Sequence, residues 1–387
     1  MQGCQLEVSA YQSYQLFIQY SIISTDYLCT TIYKIIVCDL KCYKWIEIQS
    51  TQFRLTKIQR IYEVGKPKPA QDEFAYDVKH GLSLPRKSLK SKYFYDKIGS
   101  SLFEQICVQP EYYITRTEAD ILRERLPEIV SLFSDDISIV ELGSGSASKT
   151  RIVFDHVLQR QDYLHYFPID VSHSMLSESM RTLSSDYPTL HITGISSDYS
   201  NGLDRATDLI ALESHVPCKK LILFLGSSIG NFEPQETVSF FQMLRDKMER
   251  TDLLLVGFDL QKDPAIVNSA YNDKAKITRK FNLNLLSRIN RELGGDFNIK
   301  SFEHHAFYNL DEQRVEMHLV SKRDHEYHIK LIQESFRFKE AESIHTENSY
   351  KYSLEQIRKL AEDNCFELKM NFMDQRKWFD LAIFCPV

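Results

Sequence analysis

Four short stretches of this chain hold side chains whose types and spacing suit ligand chemistry. They are the loop Gly143-Ser144-Gly145-Ser146, Asp170, the pair Asp198-Tyr199, and Asn231 at the end of Gly226-Ser227-Ser228-Ile229-Gly230-Asn231. Each follows an apolar, β-branched run of the kind that forms a buried strand. A glycine turn between a strand and a helix lets a ligand come close to the backbone. A carboxylate at the end of the next strand, here Asp170, can accept both hydrogen bonds of a ribose diol. Asp198 can accept from an adenine amine, and the Tyr199 ring can lie against the base. Singly, such aspartates are often no more than turn caps. Together, at successive strand ends, they predict an adenosine site.

The adenosine ligand can be narrowed. A dinucleotide loop wants a third glycine, and Ser148 stands in that slot. Lys149-Thr150 follows the glycines, but the first glycine of a phosphate-cradling lysine loop is misplaced. The remaining common choice is S-adenosylmethionine, whose sulfonium needs no phosphate cradle. Lys149 then either meets the methionine carboxylate or is a solvated helix residue.

The elements that must position these residues alternate. Strands are expected at 137–140, 166–171, 190–195, 221–225 and 253–258, with helices at 172–183 and from Pro234 to about Arg250 between them. Ser148 is expected to cap the helix after the glycine loop, and Thr117 to cap one that runs to about Phe133. Residues 74–82 and 101–108 read as short helices. The alternation implies an α/β fold, a doubly wound parallel sheet with right-handed crossovers. It stops at Pro264. A mostly helical run to Leu293 is followed by three expected strands, 301–308, 314–321 and 326–331, as an antiparallel meander lying over the open edge of the main sheet. A helix at 353–363 and strands at 366–372 and 379–385 then complete the fold. Residues 1–70 read as irregular apolar runs without a motif, closed by the linker-like Lys66-Pro67-Lys68-Pro69-Ala70.

Composition narrows the function classes. The chain has 387 residues and a net charge of −6, with both signs interspersed. No basic block of the kind a nucleic-acid groove needs is present, so nucleic acid is not the expected partner. The eight cysteines are scattered without zinc-ligand spacing, the histidines likewise, so no metal is expected and the thiols read as reduced, in a cytoplasmic protein. The uncharged run 8–25 is too diluted by Ser, Gln, Tyr and Thr to be a membrane span or a signal peptide.

Several blocks in one order carry a resemblance over about 74–387. They are KSLKSKYFYDKIGSSLFEQI, PEYYITRTEADIL, ELGSGSASKTR, FPIDVS, FLGSSIGNFEP, Tyr271-Asn272-Asp273 with Phe281-Asn282, VEMHL and IHTENSYKYS. In these the chain resembles the L-histidine Nα-methyltransferases of ergothioneine biosynthesis. The resemblance implies a Rossmann-like methyltransferase sheet (118–260 and 352–387) with an inserted α+β substrate-binding subdomain (71–117 and 261–351), and an N-terminal extension, 1–70, outside it. It places Gly143, Lys149, Asp170, Asp198 and Tyr199 at cofactor-binding positions, with S-adenosylmethionine as the cofactor. Tyr95 falls near the methyl-transfer centre. Tyr113, Asn231 and Tyr271 match residues that hold the amino acid's backbone end. Glu347 and Ser349, with Asn348 between them, match the group that holds the imidazole, and Met317 an apolar wall. The implied reaction is trimethylation of the α-amine of L-histidine to hercynine by a monomer. Another amino acid or small amine, such as a tryptophan derivative, and a non-catalytic cofactor-binding protein are the alternatives. Tyr199 stands where the family commonly has Phe, and with no sulfoxide-synthase module read in these residues only the methylation step is expected.

Overall fold

The computed structural model describes residues 6–8, 16–25, 28–39, 42–49, 60–64, 70–212, 216 and 219–387, and divides into two units, Met1–Ile58 and Gln59–Val387. In the first, β1 (Leu6–Val8), β2 (Leu16–Thr25), β3 (Leu28–Asp39) and β4 (Cys42–Gln49) form an antiparallel sheet in chain order. The sequence reading saw irregular runs there. The β-branched and aromatic content of segments such as Thr30-Thr31-Ile32-Tyr33 suits strands. The expected linker lies outside the described residues except for Ala70, which opens a helix.

The second unit is built on an eight-stranded sheet. Its strands in chain order are β5 (Arg60–Glu63), β6 (Ser138–Leu142), β7 (Leu164–Asp170), β8 (Leu190–Ser196), β9 (Lys220–Phe224) and β10 (Leu253–Asp259). After the inserted segment come β16 (Phe366–Met373) and β17 (Phe379–Pro386). The spatial order is β16-β17-β10-β9-β6-β7-β8-β5, and β17 runs antiparallel to both neighbours. The pairs from β10 through β5 are parallel. This is the expected doubly wound, Rossmann-like sheet. β5 adds an edge strand beside β8 that the sequence reading did not contain.

Both faces are buried, which is why the strands read as continuous apolar runs. Ile139, Leu221 and Leu223 join the core on one face, and Val140, Leu142, Ile222 and Phe224 the core on the other. The crossover helices are α4 (Thr150–Val157), α5 (His173–Asp186), α6 (Tyr199–Leu212) and α7 (Pro234–Lys247). Before the sheet stand α1 (Ala70–Ser83), α2 (Lys97–Cys107) and α3 (Tyr113–Ser131). Two expected caps are corrected. The third helix starts at Tyr113, so Thr117 lies inside it and its hydroxyl donates to the Tyr113 carbonyl. The fourth helix starts at Thr150, leaving Ser148 in the preceding turn; the Thr150 hydroxyl instead donates to Glu141 at 2.6 Å.

The chain order reverses between β6 and β9, and ligands in such sheets bind beyond the carboxyl ends of the strands at that point. The insertion supplies more of the surroundings. It contains α8 (Pro264–Ala270), α9 (Ile277–Leu293), β11 (Phe302–Asn309), β12 (Arg314–Ser321), β13 (His325–Ile329), β14 (Glu334–Phe338) and β15 (Ser343–Tyr350), followed by α10 (Leu354–Asp363). The expected three-strand meander is corrected. The third strand, β13, pairs with β14 as a separate hairpin, and β15 takes its place beside β12. The sequence reading missed β14, and it missed β15 because polar residues interrupt its alternation, as in Ser343-Ile344-His345-Thr346-Glu347-Asn348-Ser349. Nor does this sheet sit at an edge of the main one. Gly230, beyond β9, packs directly on β15: a Cβ there would lie 2.8 Å from the Tyr350 carbonyl oxygen.

Candidate active site

The site begins at the glycine loop. Gly143 and Gly145 have φ of +74° and +48°, left-handed values that favour glycine. A Cβ on Gly143 would stand 3.1 Å from the Tyr199 hydroxyl. The Tyr199 ring is fixed edge-on against Phe224 and Phe240, so it closes over the loop as a wall. Asp170 braces the same loop. One carboxylate oxygen accepts from the Gly145 N–H at 3.1 Å, the other from the Ser172 N–H at 2.9 Å. Burial pushes the Asp170 carboxyl above its ordinary value, and these backbone donors oppose the shift. Asp198 is exposed and accepts from the Asn201 backbone and side chain at the start of the sixth helix. These residues fit an adenosine-bearing group: two strand-end carboxylates, an aromatic wall and a loop open to close approach, with no cluster of cations for phosphate.

Lys149 is paired with the wholly buried Glu118. Glu118 also accepts from the Gly226 N–H at 2.8 Å, so one carboxylate ties the helix α3, the glycine loop and the loop after β9 together. Sequence reasoning missed Glu118. A lone glutamate on an amphipathic helix carries no signal until its depth is known.

Next to this lies a small, partly open cavity. Tyr95, Asn231, Tyr271, Met317, Glu347 and Ser349, all singled out from the sequence, line it together. Tyr95 follows a short 3-10 turn (Ser91–Phe94), and its ring is held edge-on by Phe103 and Phe281. Burial, with the nearby Glu347 charge, holds its hydroxyl well above the ordinary range, so it stays protonated. Asn231 ends the 3-10 turn Ser228–Asn231 beyond β9. Met317 and Glu347 are directly opposed across β12 and β15. A bulge fixes this: Met317 pairs with Glu347 but His318 with His345, leaving Thr346 as the extra residue. The Thr346 hydroxyl donates to the Met317 carbonyl, and the bulge re-aims the strand so that Glu347 faces inward. Burial pushes the Glu347 carboxyl up to about 7, against the charge of nearby Lys351.

Three expected substrate contacts are placed differently. Tyr113 is absent from the cavity: its hydroxyl lies 2.9 Å from both Asp259 carboxylate oxygens, and its neighbour Tyr112 lines the cavity instead. Successive residues at a helix start point about 100° apart, so of a tandem Tyr-Tyr only one faces inward. Asn348 points to the opposite side of β15 from Glu347 and Ser349, as strand alternation requires. Its amide donates to Glu233 at 2.5 Å and its carbonyl oxygen meets His345 at 2.8 Å. Tyr271 lines the cavity, but its hydroxyl donates to Ser349 at 2.7 Å rather than pointing at open space.

Behind Ser349 lies a buried charge network absent from the sequence reading. Lys351 donates to Ser349 at 2.8 Å and to Tyr271 at 3.1 Å, and pairs with Asp259 at 2.8 Å. Lys262 pairs with the other Asp259 oxygen. Against the penalty of burial, the Lys351 and Lys262 charges hold the Asp259 carboxyl below its ordinary value. Burial pushes Lys262 down to about 8, opposed by Asp259. Lys351 is held above its ordinary value, Asp259 and Tyr271 outweighing burial. Two sequence signals point here: Asp259 ends a core strand, and Lys351 continues the 347, 349 alternation.

The model of the histidine-specific, S-adenosylmethionine-dependent methyltransferase family matches residues 74–385. The chain belongs to this family. Its cofactor is S-adenosylmethionine, and the cleft beyond β6 and β7 is the place in the fold that suits it. Among characterised relatives, the chain is 38% identical over 288 residues to the histidine N-alpha-methyltransferase of Mycolicibacterium smegmatis, covering 74% of this chain and 87% of that one. It is 38% identical over 278 residues to the enzyme of that name from Mycobacterium tuberculosis, covering 71% and 83%. Over 294 residues it is 29% identical to ergothioneine biosynthesis protein 1 of Schizosaccharomyces pombe, covering 74% of this chain and 37% of that longer one. The matched region omits the first unit. Among the described residues no helix is long and apolar enough to cross a membrane, and no cluster of candidate metal ligands occurs.

Proposed function

We propose that this protein transfers methyl groups from S-adenosylmethionine to the α-amine of L-histidine, in three successive steps that yield hercynine. The observation that carries the reading is the pairing of a buried carboxylate, Glu347, with a hydroxyl, Ser349, on one face of a strand inside a cavity bordering the cofactor cleft. Neutral imidazole has one N–H and one bare nitrogen. A carboxylate accepts from the first and a hydroxyl donates to the second. A site built around such buried partners rejects amino acids that leave them unpaired.

The cofactor supplies a methyl group already activated by its sulfonium. The chain's part is alignment and exclusion of water. Asp170 receives the ribose hydroxyls, Asp198 the adenine amine, and Tyr199 with the Gly143 turn encloses the nucleoside. Lys149, held by Glu118, faces the methionine carboxylate. In the substrate cavity, Asn231 and Tyr112 offer neutral donors to the histidine carboxylate. Tyr95, held protonated, orients the α-amine by hydrogen bonding and is no base. The amine attacks in its neutral form, and the proton lost on each methylation leaves to water.

The test is mass spectrometry of product formed from S-adenosylmethionine and an equimolar mixture of the twenty amino acids. A gain of three methyl groups on histidine alone is the expected result. Methylation of another amine in its place, or cofactor binding without methyl transfer, overturns the substrate assignment.

A further inference from the structure

The geometry points to Lys351 as a specificity-determining residue that fixes the direction of the Ser349 hydrogen bond, so that the cavity accepts histidine only with a neutral imidazole whose bare nitrogen faces Ser349. The inference rests on the substrate reading above and deepens it.

A serine hydroxyl has one proton and two lone pairs. The Ser349 oxygen receives hydrogen bonds from Lys351 at 2.8 Å and from the Tyr271 hydroxyl at 2.7 Å. A phenol is the stronger donor and an aliphatic hydroxyl the stronger acceptor, which agrees with that direction. Tyr271 in turn accepts from Lys351 at 3.1 Å, and the third Lys351 proton is taken by Asp259. Both Ser349 lone pairs are therefore filled, and its own proton is left for the cavity. A ring N–H brought against Ser349 would find no acceptor, and an unmatched buried donor is costly.

That polarity also settles the proton between Glu347 and the ring. A protonated Glu347 donating to imidazole would leave the ring's N–H facing Ser349, which cannot accept it. The permitted state has Glu347 ionised, the ring N–H donated to it, and the other nitrogen bare.

Charge agrees. Behind the wall stand Lys351 and Lys262 with Asp259; on the cavity side stand Glu347 and the phenols Tyr95 and Tyr112. Ionised Glu347 brings this set to neutrality. A neutral ring keeps it there, whereas an imidazolium leaves a buried positive charge uncompensated.

The experiment uses L-histidine labelled with 15N in the ring, bound to the full chain with S-adenosylhomocysteine and observed by NMR at pH 6. Free imidazole, with a pKa of roughly 6.5, is then mostly doubly protonated. In the wild-type complex we expect one protonated and one bare nitrogen. In Lys351→Met, which leaves the Asp259–Lys262 pair in place, Ser349 regains a lone pair and the bound ring should be doubly protonated. A second variant does not depend on how the core tolerates that change. Wild type should prefer histidine over pyrrolylalanine, whose ring offers only an N–H, by at least tenfold in kcat/KM, and Ser349→Ala should narrow that gap at least tenfold. Histidine bound to wild type with both nitrogens protonated overturns the inference, as does persistence of both wild-type readouts in the variants. No bound histidine in wild type overturns the substrate reading, and this inference with it.

Discussion

Lys351 and Asp259 meet at 2.8 Å with both side chains wholly buried, one just past the end of β15 and the other at the end of β10. The pair joins the inserted sheet to the central one directly behind the proposed substrate cavity. A buried ion pair is weak evidence of net stabilisation, but loss of one member leaves a stranded charge. Asp259→Ala strands two lysines and should cost about 3–5 kcal/mol in urea unfolding. Lys262→Met keeps the Lys351 pair and should cost only about 1 kcal/mol. Because the Asp259 carboxyl is held below its ordinary value, its contribution is complete at neutral pH and is lost only as acid titrates the folded state.

Substitution of Asp170 should separate cofactor binding from substrate binding. Its two oxygens already hold the Gly145 and Ser172 N–H groups, so Asp170→Ala loosens the loop and, on the proposed reading, removes the ribose acceptor as well. The expected result is a rise in the S-adenosylmethionine dissociation constant of about 10- to 100-fold, on the order of 1.5–3 kcal/mol for hydrogen bonds to a charged group. The affinity for the amino acid should change little. Calorimetric titration of each ligand decides it; equal weakening of both would place Asp170 in a general structural role.

Burial raises the Glu347 carboxyl from 4.5 to about 7. Between those values the folded state binds a proton that the unfolded state has released. Glu347 therefore lowers stability progressively as pH rises through that window, and above it the penalty is constant. Glu347→Gln should raise the stability of the ligand-free protein at pH 8 by up to about 3 kcal/mol relative to its effect at pH 4. The same substitution removes the anionic acceptor, so histidine binding should weaken at least tenfold at pH 8. Its dependence on ionisation near pH 7 should flatten too. Thermal melts and histidine titrations at both pH values test the two halves separately.

The parts of this molecule legible in the sequence were those governed by period and by strand ends. The runs before Gly143, Asp170 and Asn231 are apolar on both faces, so their place in a parallel sheet, and the ligand side of that sheet, followed from pattern. Glu347 and Ser349 were reached only through resemblance, because β15 is too polar to read as a strand. The bulge at Thr346 that aims Glu347 inward depends on a partner strand and leaves no local signature. Lys351, Asp259, Lys262 and Glu118 are charged residues in the interior. Composition rules place such residues at the surface, and only the mutual pairing seen in three dimensions explains their burial.

The tandem Tyr112-Tyr113 gives a test in which neighbouring hydroxyls have separate duties. Tyr112 lines the cavity, with its ring edge-on to those of Phe103 and Tyr271. Tyr113 points away, donating to Asp259, accepting from Lys262 at 2.8 Å and packing against Trp378. Tyr112→Phe keeps the ring and removes a donor from the substrate's side. It should raise KM for histidine by roughly tenfold, the weight of one hydrogen bond to a carboxylate, and leave unfolding nearly unchanged. Tyr113→Phe deletes a hydrogen bond to a buried carboxylate that still has Lys262 and Lys351. It should lower stability by about 1–2 kcal/mol with little change in KM. Steady-state kinetics and denaturation of both variants check the division. The reverse pattern would mean that the residue reaching the substrate is Tyr113, as the resemblance alone had implied.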